Sequence, residues 1–329
     1  MVIDTAQQGG RETVVLTPDI AMLLVGAAVR APSLYNSQPW RFRQLADGGL
    51  EVHADHHRAL PATDPHGREL VISCGAALAT LVLGVRWLGA RPEIHRFPDP
   101  AQPALLARVA PALACEPSPV ELDMFDAVLH RQTHRGPFAD VPVDPELLGR
   151  LRRAARRSGC RVHLLPAHRL PELSRMTFAA QRVQRRLPAV QREVAEWLRP
   201  AWGGHRDGVV VPPAVAGDLG SRWSPRVRPA APRSAAGPRA AATIVLTTPG
   251  DDRASWLRAG EALQHMLLLA TCHGAQASFH TEVLEVPATR DALATLVGGD
   301  HPQMVLRLGY AEDGSPAPRR SPATVLTMP

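Results

Sequence analysis

Lysine is missing altogether: the 37 basic residues of this 329-residue chain are all arginine. Its side-chain cations are therefore planar forks, suited to carboxylates and phosphates, apart from any charged histidine. Aromatics are scarce, at 4%, and the arginines are spread along the chain with acidic residues between them. The formal charge of +6 thus forms no dense basic tract studded with stacking side chains, and no nucleic-acid partner is expected. No apolar run approaches the ~20 residues of a membrane span. The opening MVIDTAQQGGRETVV lacks the basic start, apolar centre and small-residue cleavage site of a signal peptide. These absences lead to the expectation of a cytoplasmic protein with no membrane partner. Cysteine is sparse too: Cys74, Cys115, Cys160 and Cys272 form no CxxC pair. They read as reduced and buried, Cys74 and Cys272 acting as small hydrophobes in apolar helical stretches.

Several chemical signatures are absent as well. No G-x-G-x-x-G opens a helix after a strand, and there is no P-loop and no G-x-S-x-G elbow. His53, His56, His57 and His66 lie close together with Asp55. They lack the tighter spacing and second cluster of a zinc site, so no metal is expected. The 45% hydrophobic content is enough for a real core, and the length suits two domains or one duplicated unit.

Thr17-Pro18 reads as a helix start, followed by apolar residues at helical spacing up to about Arg30, where Pro32 disfavours continuation. WRFRQL and LEVHAD, separated by ADGG, alternate as a β-hairpin. Residues 68–88 are apolar almost all round and predict a buried helix. The proline-rich stretch 95–120 reads as a linker. ELDMFDAVLH predicts a helix running into the irregular RQTHRGPF, and Asp144-Pro145 opens another through about Arg157. CRVHLL is a strand, 172–198 has helical periodicity, and 199–240 reads as a long loop or lid. AATIVLTT is a strand, SWLRAGEALQHMLLLATCHG a second long apolar helix, and MVLRLGYA a final strand. Laying Gly75 on Gly260 aligns the two long apolar segments with seven identities in 21 positions, including Gly89 with Gly274 and His95 with His280. That suggests a repeated unit.

RAPSLYNSQPWRF concentrates Pro32, Ser33, Asn36, Ser37, Gln38, Pro39 and Trp40 in one run. A turn needs only one or two such residues. PSLYNSQPW resembles the flavin-contacting segment of nitroreductases. With ATDPHGRELVISCGAAL, RQTHRGPF and RLGYAEDGSPAPRRSP, in that order, the chain is similar to the Acg-type, internally duplicated FMN-binding members of that family. In ordinary members two subunits share each FMN. One supplies an Arg-x-Ser/Thr-x-Arg/Lys phosphate motif and a C-terminal basic pair, and its partner supplies Pro-Ser-x-x-Asn. Here both contributions occur on one chain. Arg131, Gln132, Thr133 and Arg135 match the phosphate motif, Arg319 and Arg320 the basic pair, and Pro32, Ser33, Leu34 and Asn36 the partner's wall. The segment beside the reactive flavin nitrogen falls by resemblance at Thr281 and Glu282, where the family often has Glu-Gly. Arg30 adjoins the wall without a motif that assigns it a role.

The resemblance implies an α+β, nitroreductase-like fold with two similar halves fused as a pseudo-dimer, 1–115 and 116–329, and one FMN at their join. It implies hydride transfer from NAD(P)H through the flavin to a nitro compound, quinone or similar acceptor, with no catalytic side chain because the cofactor does the chemistry. A flavin-sequestering protein closed by the 199–240 lid is the alternative. The fusion is compatible with a monomer and leaves a homodimer open. Taken singly the residues admit plainer roles: Ser33 and Asn36 as turn caps, Trp40 as filling, Arg131 and Arg135 as cations at a helix C-terminus, Arg319 and Arg320 as a solvated tail. Their joint occurrence in family order is what argues for one site.

Overall fold

The computed structural model describes residues 5–8, 11–14, 16–200, 203–211, 240–311 and 316–329. Two short strands, β1 (Thr5–Gln8) and β2 (Arg11–Val14), pair ahead of helix α1 (Pro18–Ala28). The Thr17 side chain accepts from the Ile20 amide and Pro18 takes the first helical position, where a missing N–H costs nothing. The hairpin of β3 (Trp40–Gln44) and β4 (Leu50–Ala54) follows, then the long helix α2 (Arg68–Trp87), then β5 (Ala90–Arg96) and β6 (Leu105–Ala114).

The rest of the chain begins with α3 (Pro119–His130), started by a capping box in which Ser118 and Glu121 bond each other's backbone N–H. Asp144 and Pro145 start α4 (Pro145–Arg157), which leads into β7 (Arg161–Leu165). Helices α5 (Leu170–Gln184) and α6 (Pro188–Glu196) and the short parallel pair β8 (Leu198–Pro200) and β9 (Val209–Val211) come next. Then follow β10 (Ala242–Thr248), the second long helix α7 (Arg253–Cys272), β11 (Ala275–Phe279), α8 (Pro287–Leu296), β12 (His301–Tyr310) and β13 (Leu326–Thr327).

The two main sheets share one strand order. In the first, β5 pairs β6, which pairs β4, which pairs β3; in the second, β11 pairs β12, which pairs β10, which pairs β7, all antiparallel. Helices α2 and α7 occupy the same place in that order and are both 20 residues long. In the register that lays Gly75 on Gly260, their first and last residues coincide. Both are followed by a left-handed glycine, Gly89 and Gly274, that ends the helix and turns the chain into the next strand. Strand β13 departs from this scheme, joining the outer edge of β3 in parallel, with Leu326 opposite Phe42.

Helices α2 and α7 cross at the glycines. A Cβ on Gly75 would sit 2.2 Å from the Leu257 carbonyl oxygen, and one on Gly260 would sit 2.0 Å from that of Ile72. The close approach lets each helix lend one residue to the other helix's core: Leu257 packs in the core built on α1, α2 and the first sheet, and Ile72 in the core built on α4, α7 and the second. Fully buried leucines such as Leu78, Leu81 and Leu268 line these surfaces, each contributing about 2 kcal/mol through apolar burial. Helix α2 is long and apolar enough to cross a membrane, alone in this among the described residues, and most of it lies inside the fold.

Three expectations need correction. The stretch 95–120 is not a linker, because β6 runs through it between β4 and β5. Its prolines masked the strand: Pro111 faces Pro92 next to a register irregularity, where no regular ladder bond is lost. The helical stretch 172–198 is two helices, broken at Leu187 because the residue before Pro188 is pushed out of helical geometry. Cys115 and Cys272 are exposed, Cys272 lying in the last turn of α7 on its solvent side; Cys74 and Cys160 are buried. Of the loop or lid read at 199–240, residues 201–202 and 212–239 lie outside the described residues, and the remainder is bound to the wall as set out below.

Candidate functional site

The run that follows α1 is a strained piece of backbone. Tyr35, Asn36 and Gln38 have φ of 49°, 55° and 50°, in the left-handed region that non-glycine residues rarely enter. The strain is held by local bonds: the Ser33 hydroxyl accepts from the Gln38 amide at 2.9 Å, and Ser37 N donates to the Leu34 carbonyl. Pro32 is buried at its start, and Trp40 and Phe42 anchor its end at 0% and 1% exposure. Strain of this kind persists only where surrounding contacts over-determine it and is typical of ligand-facing segments.

Those contacts come from two distant parts of the chain. Asn36 Nδ2 donates to the carbonyls of Gly208 and Pro318, both at 3.0 Å, and its Oδ1 accepts from Arg319 Nη1 at 3.1 Å. Gln38 Nε2 donates to the Arg206 carbonyl at 2.8 Å, while its Oε1 accepts from the Arg320 amide at 2.9 Å. Arg58 donates to the Ser37 carbonyl and to Asp207, and Asp207 also takes Arg199. Leu34, Tyr35 and Leu60 pack against Leu198 and Val209. The described part of the 199–240 segment is thus fastened to the wall by side-chain amides and a carboxylate.

Behind the wall four guanidinium groups converge. Arg131 caps the end of α3, and its Nη2 donates to the Arg30 carbonyl at 2.8 Å; Arg319 Nη2 donates to the same oxygen at 3.1 Å. The Arg30 side chain in turn donates to the Val128 and Leu129 carbonyls, two of the orphan acceptors in the last turn of α3. Arg30 and Arg135 both act electrostatically on Arg131 and Arg319. Among the described residues none of the four meets a carboxylate within ion-pair reach. Burial, reinforced by the Arg30 and Arg135 charges, lowers the Arg131 pKa to about 10. Burial and the charges of Arg131, Arg30 and Arg135 lower that of Arg319 to about 9. Three nitrogens in this group, Arg131 Nε and Nη1 and Arg319 Nε, are out of contact with water and have no hydrogen-bond partner. Buried cations without counter-charge are expensive, and a bound dianion would both pair the nitrogens and remove the repulsion.

The segment after Arg131 runs along the second sheet: Thr133 bridges Ala277 in parallel and His134 N donates to the Ala277 carbonyl. This sets Gln132 and Thr133, both half-buried, beside β11, with Arg135 reaching solvent. Pro32, Ser33, Leu34, Asn36, Arg131, Arg319 and Arg320 are therefore drawn into one neighbourhood with Thr133 and Arg135 alongside. Thr281 and Glu282 come next along the chain. Both are buried just beyond β11, but their side chains bond Glu285 and Gln181, and Glu282 Oε2 has no partner. Three further contributors emerge: Arg30, whose carbonyl aligns two guanidinium groups; Gln38, fully buried and joining two segments; and the Arg58–Asp207 pair. Arg30 was signalled by its place directly before the wall and Gln38 by its place in the polar run 32–40, whereas the Arg58–Asp207 pair had no sequence signal.

The nitroreductase family profile matches residues 128–310. The chain is 35% identical over 326 residues to a Mycobacterium tuberculosis H37Rv protein provisionally named NAD(P)H nitroreductase Rv3131, spanning 92% of this chain and 89% of the relative. It is 31% identical over 314 residues to the provisionally named NAD(P)H nitroreductase acg of the same organism, spanning 93% and 95%. Among solved structures, the FMN and NADPH-dependent nitroreductase NfnB of Sphigopyxis sp. strain HMH superposes over 62% of this chain and 97% of its own, with 19% identity and a TM-score of 0.41. A nitroreductase with bound FMN from Desulfitobacterium hafniense does so over 59% and 92%, with 16% identity and a TM-score of 0.36.

Proposed function

Because this chain belongs to the nitroreductase family, we propose that it binds one FMN at the join between halves 1–115 and 116–329 and passes hydride from NAD(P)H to a nitro compound, quinone or similar small acceptor. The observation that carries this reading is the group of Arg30, Arg131, Arg135 and Arg319, which has no carboxylate partner among the described residues and holds three buried nitrogens lacking a hydrogen bond. A phosphate monoester fits that deficit in charge and in donor geometry.

In this reading Arg131 and Arg319 hold the phosphate, Thr133 adds a hydroxyl donor and Arg135 screens the charge from the solvent side. Arg30 acts through its carbonyl, fixing the direction of both buried forks. Pro32, Ser33, Leu34 and Asn36 form a wall of fixed backbone beside the ring system, Arg320 is tied to that wall through Gln38, and Thr281 with Glu282 follows the strand on which the phosphate segment lies. FMN supplies the hydride chemistry when bound, so no side chain has to act as nucleophile or proton carrier. Support for two similar halves comes from the common strand order and the reciprocal glycine crossing.

A specific observation favours a second reading, flavin storage with little turnover. The Asn36 amide and the Arg58–Asp207 pair fasten residues 206–208 over the wall, where a donor or acceptor molecule would have to pass. The visible spectrum of the purified protein, followed by stopped-flow mixing with NADPH and NADH, tests both. A flavin spectrum that bleaches within seconds supports the oxidoreductase, and a flavin spectrum that persists supports storage. A colourless protein that takes up no added FMN overturns both.

A further inference from the structure

A second cleft, of about 1140 Å3, opens between the halves on other surfaces of α2, α3, α4 and α7, and none of the residues discussed above for flavin lines it. Its walls are the equivalents of those around the guanidinium group, with the halves exchanged. Ile94 and Arg96 come from β5, the strand that follows the first long helix as β11 follows the second. Arg157, Ser158 and Gly159 end α4, the helix ahead of β7, as Arg30 follows the end of α1 ahead of β3. A twofold relation through the Gly75–Gly260 crossing generates such a pair of clefts, and the second carries neither the Pro-Ser-x-x-Asn wall nor the phosphate motif.

Its chemistry is nonetheless that of an anion site. The two buried or half-buried carboxylates that reach it are already neutralised. Glu121 takes both ends of the Arg86 fork at 2.8 and 3.1 Å, and Glu261 takes both ends of Arg96 at 2.8 and 2.7 Å. That leaves Arg153, Arg157 and Arg258 on the rim with no hydrogen bond or ion pair to any described residue. His265 lies deeper, its pKa lowered by burial and by the Arg157 charge against the opposing Glu261, so it presents a neutral ring that can accept or donate. The floor is apolar, made by Val82, Leu83, Ile94, Met124 and Leu269. An apolar floor with a few converging polar groups in a volume of this size is the usual form of a small-molecule site.

We propose that this cleft binds a small organic anion, a phosphate or carboxylate group on a flat apolar body, with Arg153, Arg157 and Arg258 around the anionic group and the body on the Val82–Leu269 floor. The site stands on its own walls and does not depend on the flavin reading. Phosphate and carboxylate heads share the chemistry the arginines recognise, and two probes separate them.

The purified chain, with whatever cofactor it retains, is titrated calorimetrically with AMP, benzoate, inorganic phosphate and adenosine. Heat is the readout, and where the preparation is colourless the titration is made on the Arg131→Ala variant as well, which removes phosphate binding at the first arginine group and leaves the cleft. The expected result is one saturable site for AMP or benzoate, with phosphate or adenosine alone at least about tenfold weaker, since head and body are both engaged. The double variant Arg153→Ala/Arg157→Ala weakens binding about tenfold or more, Arg258→Ala on a separate helix does so independently, and Arg131→Ala leaves it unchanged. All three rim arginines are exposed, and an unchanged melting temperature verifies that the variants are folded. The proposal is overturned if no probe saturates below millimolar concentrations, if the rim variants bind as the parent does, or if Arg131→Ala abolishes the binding.

Discussion

Gly75 and Gly260 lie against one another, each standing where a methyl group would strike a carbonyl three residues ahead of the other glycine, on Leu257 and Ile72 respectively. The contact is the same seen from either side, as in an isologous interface between identical subunits. Adding one carbon to either glycine forces the long helices apart, and both cores share the strain. Gly75→Ala and Gly260→Ala are each expected to cost about 3 kcal/mol, against about 1 kcal/mol for Gly89→Ala, where there is open space and only a left-handed φ to oppose the change. Thermal melting of the three variants measures this. Equal melting of Gly75→Ala and the parent would mean that the helices do not cross where described.

Arg131 makes one hydrogen bond and leaves two buried nitrogens unpaired. Its pKa, lowered to about 10, means that the folded chain holds this proton less tightly than the unfolded chain does. The cost is fully present at neutral pH and is relieved only as the pH climbs above about 10 toward the ordinary arginine value. Arg131→Met should therefore separate two properties: the flavin-free protein at pH 7 melts at or above the parent, while FMN affinity falls about tenfold to a hundredfold. Calorimetry and a flavin titration on the same preparations read the two effects. Loss of stability together with unchanged FMN binding would remove Arg131 from the proposed site.

Asn36, the only asparagine in the chain, joins three segments through one amide. Asn36→Ala should destabilise the protein by about 2 kcal/mol and open the bond between residue 208 and the wall, seen as faster proteolysis near Arg206. Asn36→Asp is a sharper probe. It places a carboxylate beside Arg319 and against two carbonyl oxygens, so it should lower FMN affinity by competing for the guanidinium group. An Asp variant that binds FMN as tightly as the parent would show that Arg319 serves only the protein.

Glu121 is held by the Arg86 fork and by Ser118, which depress its pKa to about 2. The folded state binds this proton less readily than the unfolded state, so the stability it brings is complete above about 4.5 and is lost as the pH falls toward 2. Glu121→Gln is expected to melt below the parent at pH 7, by about 2 kcal/mol, with the gap closing progressively below pH 4.5. A gap that stays constant down to pH 2.5 would mean that lost packing, not lost charge, causes the difference.

Much of this was legible from side-chain chemistry that acts locally. Thr17-Pro18 and Asp144-Pro145 mark helix starts because a hydroxyl or carboxylate and a proline satisfy the first turn within a few residues. The runs 32–36 and 131–135 could be singled out as candidates because each is contiguous. Strand β6 was hidden because its one proline, Pro111, says nothing of Pro92, which it faces across the sheet. Asp207, and the partners though not the presence of Gln38, were illegible for the same reason: these contacts exist only once residues 30–38, 206–208 and 318–320 are folded together. Thr281 and Glu282 could be ordered along the chain by resemblance, but the direction of their side chains is decided by α5 and the turn after β11.

The wall and the arginine that grips it are 283 positions apart. A ribosome releases Asn36 long before it has made Arg319 or the parallel strand that seals the outer edge of β3. Until then the nascent chain carries a sheet with an open border and a strained loop braced only locally and from residues 206–208. The proposed flavin pocket is complete only once residue 327 has been made, so flavin uptake during synthesis should appear late rather than gradually.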